Sequence, residues 1–198
     1  MKKISISLLT VAACVASVFS APAQANEFRV GAWEHDAQFF GIGGSKGKET
    51  SAAVSVDYLW ESPDFLSKIR SPRPYVGALI NLDGNTNFAG AGLEWQGNIA
   101  DKIYAIYAFG VSVHDGTKEV PSPNFETDPV VINNLVNRKA REIEFGSAVL
   151  FRNAFGFGYE YSDTIGVEIV WEHLSHAKIF DSVNEGIDNV GIRVSRKF

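Results

Sequence analysis

The sequence predicts an all-β protein, an eight-stranded antiparallel transmembrane β-barrel of the outer-membrane type. Three observations lead to this class: an export signal at the start, eight later segments whose side chains alternate between two faces, and no apolar run after the signal that approaches the roughly 20 residues of a membrane helix. Strands cross a membrane only as a closed barrel, because lipid offers no partner to unpaired backbone groups.

The export signal is predicted at residues 1–25. Lys2 and Lys3 form a basic start, an uncharged and mostly apolar run covers 4–19, and Ala23-Gln24-Ala25 is a small-x-small cleavage site. Cleavage is therefore expected after Ala25. The residues before Cys14 faintly resemble a lipoprotein box, but the apolar core before them is very short and a conventional cleavage site follows.

The mature chain, 26–198, is expected to form one outer-membrane β-barrel domain. It holds 16 Lys and Arg residues (18 less Lys2 and Lys3) against 23 Asp and Glu, a net charge of −7, which argues against a nucleic-acid partner. Cys14, the single cysteine, leaves with the signal. No disulfide is then available to stabilise the mature domain.

Eight segments with alternating side chains, separated by turn signals, are the predicted strands. They cover about 27–39, 50–60, 73–82, 87–97, 102–113, 143–161, 165–176 and 188–198. If both ends of the mature chain are periplasmic, the loops 40–49, 83–86, 114–138 and 177–187 are extracellular. The long loop 114–138 is expected to be irregular, apart from a short turn of helix near 129–135.

The segment 143–161 shows the alternation most clearly. Its odd positions, from Ile143 and Phe145 to Phe157, are mostly apolar or aromatic, whereas even positions such as Gly156 are mostly small or charged. An outer-membrane strand has this pattern, with apolar side chains toward lipid and small or polar ones toward the lumen. On this interpretation Ile143 and Phe145 face lipid.

A candidate catalytic relay lies in the last two strands. A period of two places His173 and Ser175 on one face, about 6–7 Å apart along the strand. A serine hydroxyl becomes a nucleophile when a base takes its proton, and a third group fixes the tautomer of that base. Asp188, at the start of the antiparallel neighbour, is the expected third member, and Glu185 in the preceding turn is the alternative.

The simpler interpretation is an interfacial histidine followed by an ordinary serine at the end of a strand, because short motifs often match by chance. The membrane context argues for function. A histidine and an aspartate on the lipid face are costly unless they lie at the interface or have a role there. A strand of about 9–11 residues that starts near Ile165 places His173 and Ser175 at the outer interface, level with Asp188.

These residues carry a resemblance to a known family. His173-Leu-Ser175-His176-Ala177, followed by Asn184-Glu185-Gly186-Ile187-Asp188 near the end of an eight-stranded barrel, resembles the PagL family of lipid A 3-O-deacylases. The resemblance implies an outer-membrane carboxylic ester hydrolase that removes the acyl chain at position 3 of lipid A. It implies a Ser-His-acid triad on the barrel exterior and needs neither a cofactor nor a metal.

Carried over to this chain, the resemblance makes Ser175 the nucleophile, His173 the base and Asp188 the acid, where the family usually has glutamate. His176 replaces an asparagine that the family uses at the oxyanion hole, so the His176 ring becomes the expected oxyanion donor. Lys178 replaces a glycine of the family. The expected partner is lipid A, or lipopolysaccharide, in the outer leaflet of a bacterial outer membrane.

Two other functions fit the sequence. One is a non-catalytic outer-membrane barrel with a structural or binding role through the 114–138 loop. The other is a soluble exported barrel that carries a small ligand, which the many outward aromatic side chains disfavour. The sequence leaves open whether the protein is a homodimer.

Overall fold

A computed structural model describes residues 25–38 and 45–198 and shows a closed eight-stranded antiparallel barrel. The predicted fold class is confirmed. Each strand pairs with its neighbour in sequence, and the first strand pairs with the last. The strands are β1 (Glu27–His35), β2 (Ser51–Leu59), β3 (Arg73–Asn81), β4 (Phe88–Ala100), β5 (Ile103–His114), β6 (Val149–Glu160), β7 (Ile165–Ser175) and β8 (Ile187–Lys197).

The predicted export signal, apart from Ala25, lies outside the described residues, and its cleavage stays a prediction. The barrel has two ends that differ in their connections. The loop end carries the connections after β1, β3, β5 and β7, and the turn end carries the shorter connections after β4 and β6 together with the 60–72 segment after β2.

Side chains alternate between lumen and exterior as the sequence predicted. In β6 the even positions from Leu150 to Gly158 are buried and the odd positions are half-buried or exposed, and β7 follows the same rule. Bulky apolar side chains such as Phe157 and Ile169 point outward. The outward face is therefore apolar over most of the barrel, as lipid contact requires.

Paired charges fill part of the lumen. Arg29 is completely buried and donates to Glu27 at 2.6 Å and to Glu94 at 2.7 and 2.8 Å, and its guanidinium lies 3.2 Å from Glu168. A buried charge without a partner would be costly, so this pairing makes a charged lumen tolerable.

The start of β6 differs from the prediction. β6 begins at Val149, whereas the alternation suggested a start at 143. Ile143 and Phe145 are completely buried and belong to the apolar core; they do not face lipid. The Phe145 N–H donates to the Thr117 carbonyl at 3.0 Å, and its ring packs edge-on against Phe88 with centroids 5.9 Å apart. The alternation at 143–148 therefore belongs to a loop that covers the lumen.

Two strand ends also differ. β1 ends at His35, short of the predicted 39, and Asp36 turns the chain with φ of +53°. β4 runs to Ala100, through the turn predicted at Gly97-Asn98, with an irregularity in register between Asn98 and Ala100. The turn itself lies at residues 101–102.

The connection from β5 to β6 contains a 3₁₀-helix (Pro123–Phe125) and the helix α1 (Pro129–Arg141), which is longer than the short turn predicted at 129–135. The Asp128 side chain caps α1 by accepting a hydrogen bond from the Val130 N–H at 2.8 Å, and Pro129 suits the first helical position. In the described part of the chain no helix has the length and apolarity needed to cross a membrane.

Candidate active site

The register of β7 and β8 brings the candidate residues together. His173 lies directly opposite Asp188, and Ser175 follows His173 by two positions on the same strand. Along β7 the even positions are buried, whereas Ile165, Val167 and the other odd positions are half-buried or exposed. His173 and Ser175 therefore share the face of the sheet that carries the outward apolar side chains.

The three side chains form a continuous hydrogen-bonded relay. His173 Nδ1 lies 2.6 Å from Asp188 Oδ1, and His173 Nε2 lies 3.0 Å from Ser175 Oγ. A carboxylate only accepts, so Nδ1 carries the hydrogen and Nε2 accepts from the serine hydroxyl. The His173 side chain is 17% exposed and that of Asp188 only 2%. A hydroxyl, an imidazole and a shielded carboxylate in this order can carry out nucleophilic acyl transfer.

Glu185, the alternative third member, is bound elsewhere. Its carboxylate pairs with Lys48 Nζ at 2.6 and 2.7 Å and accepts the Glu144 N–H at 2.8 Å. The Glu185 N–H donates to the Glu144 carbonyl at 3.1 Å. Glu185 therefore joins the last loop to its neighbours at the loop end, while Asp188 contacts His173.

The His176 ring does not face Ser175, contrary to the expectation that it donates to an oxyanion. His176 is completely buried, and it lies just past the end of β7, in the loop that follows the strand. Its Nε2 donates to the Val183 carbonyl at 2.9 Å, and its Nδ1 accepts the Phe180 N–H at 3.4 Å. Both ring nitrogens are occupied by the loop that follows β7, so the ring has no donor left for a reacting group.

Asn184 is a residue of the site that sequence reasoning did not single out for chemistry. Its Oδ1 accepts the N–H of His176, the residue next to Ser175, at 3.1 Å. Its Nδ2 group has no hydrogen-bond partner within 25–38 and 45–198. An amide fixed through its oxygen keeps two hydrogens for another acceptor. The asparagine that opens the motif Asn184 to Asp188 was the available sequence signal.

Gly186 lets the chain pass close to the relay. Its φ is +58°, and a Cβ at this position would lie 3.2 Å from both His173 Cε1 and Ser175 Cβ. Glycine adopts this backbone conformation without steric cost. The segment 184–186 therefore lies directly beside the base and the hydroxyl.

Aromatic rings continue from the site along the outer wall. The Trp171 ring stacks near His173 with centroids 6.3 Å apart, and Phe155 stacks on the other side of Trp171 at 6.1 Å. Phe151, which lies opposite Ser175 in the β6–β7 register, stacks with Phe180 at 5.9 Å. The relay is thus bordered by an apolar aromatic surface that suits a substrate with hydrocarbon chains.

No three His, Cys, Asp or Glu side chains in the described part of the chain are grouped as metal ligands. His35 and Glu34 illustrate why neighbours on a strand do not form such a group. The His35 side chain is completely buried whereas Glu34 is exposed, because adjacent positions on a strand point to opposite faces.

Comparison with known proteins gives a family match. Residues 65–197 match the family model described as PagL, lipid A 3-O-deacylase. The match includes all the residues of the relay. No curated protein matches the sequence.

Solved structures share the fold at low sequence identity. The outer-membrane enzyme PagL superimposes with a TM-score of 0.56 at 13% identity, covering 87% of this chain and 99% of the other. Neisserial surface protein A superimposes with a TM-score of 0.55 at 9% identity, covering 90% of this chain and 100% of the other. A de novo designed transmembrane β-barrel gives a TM-score of 0.53 at 8% identity, covering 90% of this chain and 99% of the other. These similarities show an outer-membrane type of barrel fold.

Proposed function

Since this chain belongs to the PagL family of lipid A 3-O-deacylases, we propose that it hydrolyses the 3-O-linked acyl ester of lipid A in the outer leaflet of a bacterial outer membrane. The observation that carries the proposal is the hydrogen-bonded relay from Ser175 through His173 to Asp188, at outward positions of an apolar barrel wall. Lipid A would approach through the membrane and not through the lumen.

The relay supports a two-step mechanism. His173 Nε2 takes the Ser175 proton as Oγ attacks the ester carbonyl, and Asp188 stabilises the imidazolium that forms. When the tetrahedral intermediate collapses, His173 returns the proton to the sugar oxygen, which leaves as an alcohol. His173 then takes a proton from water, which attacks the acyl-enzyme carbonyl. As the second tetrahedral intermediate collapses, His173 gives this proton to Ser175 Oγ, and a fatty acid and the free serine result.

The tetrahedral intermediates carry an oxyanion that needs a hydrogen-bond donor. We assign this role to the Asn184 Nδ2 group, because Asn184 Oδ1 is already fixed by the N–H of His176, the residue next to Ser175. The His176 ring is not proposed for this role, since both of its nitrogens are bound within the loop.

The test is expression in a Gram-negative host without its own deacylase of this type, followed by mass spectrometry of the lipid A. The expected result is loss of the 3-O-linked acyl group with the wild-type protein and intact lipid A with Ser175→Ala at equal abundance in the membrane. Intact lipid A in both strains would refute the proposal and favour a non-catalytic binding role for the 114–138 loop. The homodimer considered from the sequence finds no support in the comparisons.

A further inference from the structure

The loop that follows β7, residues 176–184 and here called the His176 loop, is pinned at both ends by one residue. The His176 carbonyl accepts the Ile179 N–H at 2.9 Å, and its ring binds the Phe180 N–H and the Val183 carbonyl. The His176 N–H binds the Asn184 side chain. A loop with so many bonds to one buried residue holds the residues at its tip in fixed positions beside Ser175.

Lys178 is the unpaired cation of this loop. Its side chain is exposed, and it forms no ion pair with any residue in the described ranges. Lys48, by contrast, is neutralised by Glu185. In the same loop the Asp181 carboxylate is directed to the Val183 N–H at 2.9 Å, and that hydrogen bond holds the pKa of Asp181 below its ordinary value. Three residues after Ser175, a predominantly acidic chain thus presents a free positive charge.

The flanking residues fit the boundary of a membrane. Ile179 is 65% and Phe180 54% exposed, although both are large and apolar. Phe180 stacks on Phe151 of the outer barrel wall, so this pair of side chains continues the apolar surface next to Ser175. A lysine beside such a surface keeps its stem on the apolar side and its ammonium at the polar headgroups.

We propose that Lys178 binds a phosphate group of the lipid A molecule whose ester lies at Ser175. This inference rests on the proposed function. Lipid A is an acylated and phosphorylated glucosamine disaccharide, so the proposed substrate itself carries the phosphate. A phosphate held at Lys178 fixes the sugar relative to Ser175 and makes the enzyme prefer phosphorylated substrates. Lys178 thereby acts as a residue of substrate specificity outside the relay.

The backbone of this segment supports a ligand role for the lysine. Ala177 and Lys178 have φ of +52° and +58°, a left-handed conformation that is unfavourable for a non-glycine residue. Glycine would remove that cost at position 178. A lysine there sacrifices stability, which is consistent with a gain in binding.

The test compares four variants on lipid A and on its fully dephosphorylated form, each dispersed in neutral detergent micelles. The variants are Lys178→Met, Lys178→Arg, Lys178→Gly and the control Lys102→Met, which makes the same charge change in the turn after β4 at the opposite end of the barrel. Lys178→Met and Lys178→Gly should lower kcat/KM on lipid A about tenfold, mainly through KM, as expected for one lost charged contact. On the dephosphorylated lipid they should stay within about twofold of wild type.

Lys178→Arg should keep the preference for the phosphorylated lipid, and Lys102→Met should leave kcat/KM unchanged on both lipids. The glycine variant should also be the more stable protein, so a loss of phosphate preference there cannot come from misfolding. Equal losses on both substrates, or no loss on either, would overturn the proposal. The same assays in vesicles of anionic phospholipid give one more contrary outcome. If Lys178→Met lowers kcat/KM only in these vesicles, and equally for both substrates, Lys178 contacts neighbouring lipids and the proposal is overturned.

Binding separates this inference from the proposed function. In a Ser175→Ala background, equilibrium binding of lipid A should weaken about tenfold with Lys178→Met, while binding of the dephosphorylated lipid should not change. If the wild-type protein hydrolyses neither lipid but shows this binding pattern, the esterase proposal fails and the phosphate site stands. If hydrolysis occurs without the pattern, the phosphate site fails alone.

Discussion

At the scale of single residues, the short side chain of Asp188 is compatible with a complete relay. The PagL family resemblance suggested a glutamate in this role, and an aspartate has one methylene less. Asp188 is nevertheless 2.6 Å from His173 Nδ1, because the β7–β8 register sets the two residues directly opposite each other.

This geometry gives a prediction about the acid of the relay. Asp188→Asn should lower kcat by about 10³- to 10⁴-fold, because an amide no longer fixes the His173 tautomer or stabilises the imidazolium. Glu185→Gln makes the same chemical change three residues earlier and should lower kcat by less than about tenfold, since Glu185 binds Lys48. Initial rates of fatty acid release in detergent micelles measure both. Equal losses in the two variants would contradict the assignment of Asp188.

Sequence reasoning found the relay but not the direction of its neighbours. The spacing of His173 and Ser175 and the strand parity of Asp188 were enough to group them, because period two is a property of the backbone. The His176 ring and the Asn184 amide follow a strand end, where parity no longer applies. Their directions depend on long-range bonds such as that from the His176 ring to the Val183 carbonyl, which no local pattern encodes.

At the scale of elements, the loops at the loop end support one another through backbone contacts. Gly146, between α1 and β6, has φ of +73° and lies against the Val183 carbonyl that also binds the His176 ring. A Cβ at Gly146 would overlap that oxygen. The geometry of the His176 loop therefore depends on a glycine in a different connection.

Gly146→Ala should lower kcat/KM by between about 10- and 100-fold, because it displaces Val183 and with it the loop beside Ser175. It should also lower the unfolding free energy by about 1 kcal/mol or more, since alanine is strained at this φ. Gly84→Ala is the matched control: Gly84 has φ of +81° but open space around its Cβ position, so it carries the backbone strain without the collision. Enzyme assays and thermal unfolding in micelles separate the two effects. A similar loss of activity in Gly84→Ala would contradict the argument.

A second contact between elements depends on pH. Glu49, just before β2, accepts the Thr86 and Ile143 N–H groups at 3.1 Å each and lies 3.5 Å from His35 Nε2. Burial alone would raise the pKa of Glu49, but the close His35 ring and the hydrogen bonds from the Ile143 and Thr86 N–H groups outweigh it and hold the pKa below its ordinary value. The ionised carboxylate therefore stabilises the folded state at neutral pH.

Because the folded pKa of Glu49 is depressed, its contribution is complete above the unfolded value of 4.5 and is lost as the pH falls through the folded pKa. Glu49→Gln should melt at a lower temperature than wild type at neutral pH, and the difference should shrink on acidification to about pH 3. Glu119→Gln, at an exposed site in the β5–β6 connection, should melt at the same temperature as wild type at each pH. Melting curves that run parallel for wild type and Glu49→Gln at every pH would count against this prediction.

The elements themselves were predictable to different degrees. The eight strands are visible in the sequence because alternation over 9–13 residues is a repeated signal. The false extension of β6 to 143 arose since Ile143 and Phe145 alternate with polar residues while lying in a loop that covers the lumen. The helix α1 was underestimated, because none of its residues is buried and its polar positions hide the apolar periodicity.

At the scale of the whole molecule, the barrel combines an apolar exterior with a charged interior. The lumen network includes Arg29 with three buried carboxylates, and Arg152 donates to Glu172 at 2.6 Å. The alternation in the sequence predicted small or charged side chains toward the lumen. It could not assign the pairs, because barrel register brings together residues as distant in sequence as Arg29 and Glu94.

The interior network and the exterior relay should respond independently to mutation. Arg29→Met removes the shared partner of Glu27, Glu94 and Glu168, and the carboxylates left behind should cost about 3–5 kcal/mol of unfolding free energy. Lys197→Met breaks the pair with Glu160, which is partly exposed, and should cost less than about 1 kcal/mol.

Urea unfolding in lipid vesicles measures both values, and kcat of the folded fraction should stay near that of wild type in both variants. This independence follows from the barrel wall: even positions of β7 such as Glu168 contact the lumen, whereas His173 and Ser175 occupy odd positions on the opposite face. A large loss of kcat in folded Arg29→Met protein would show that lumen charges position the relay through the wall. If Arg29→Met has the same unfolding free energy as wild type, the remaining arginines neutralise the lumen carboxylates without Arg29. Arg193, which lies beside Glu94 and Glu168, would then be the main partner.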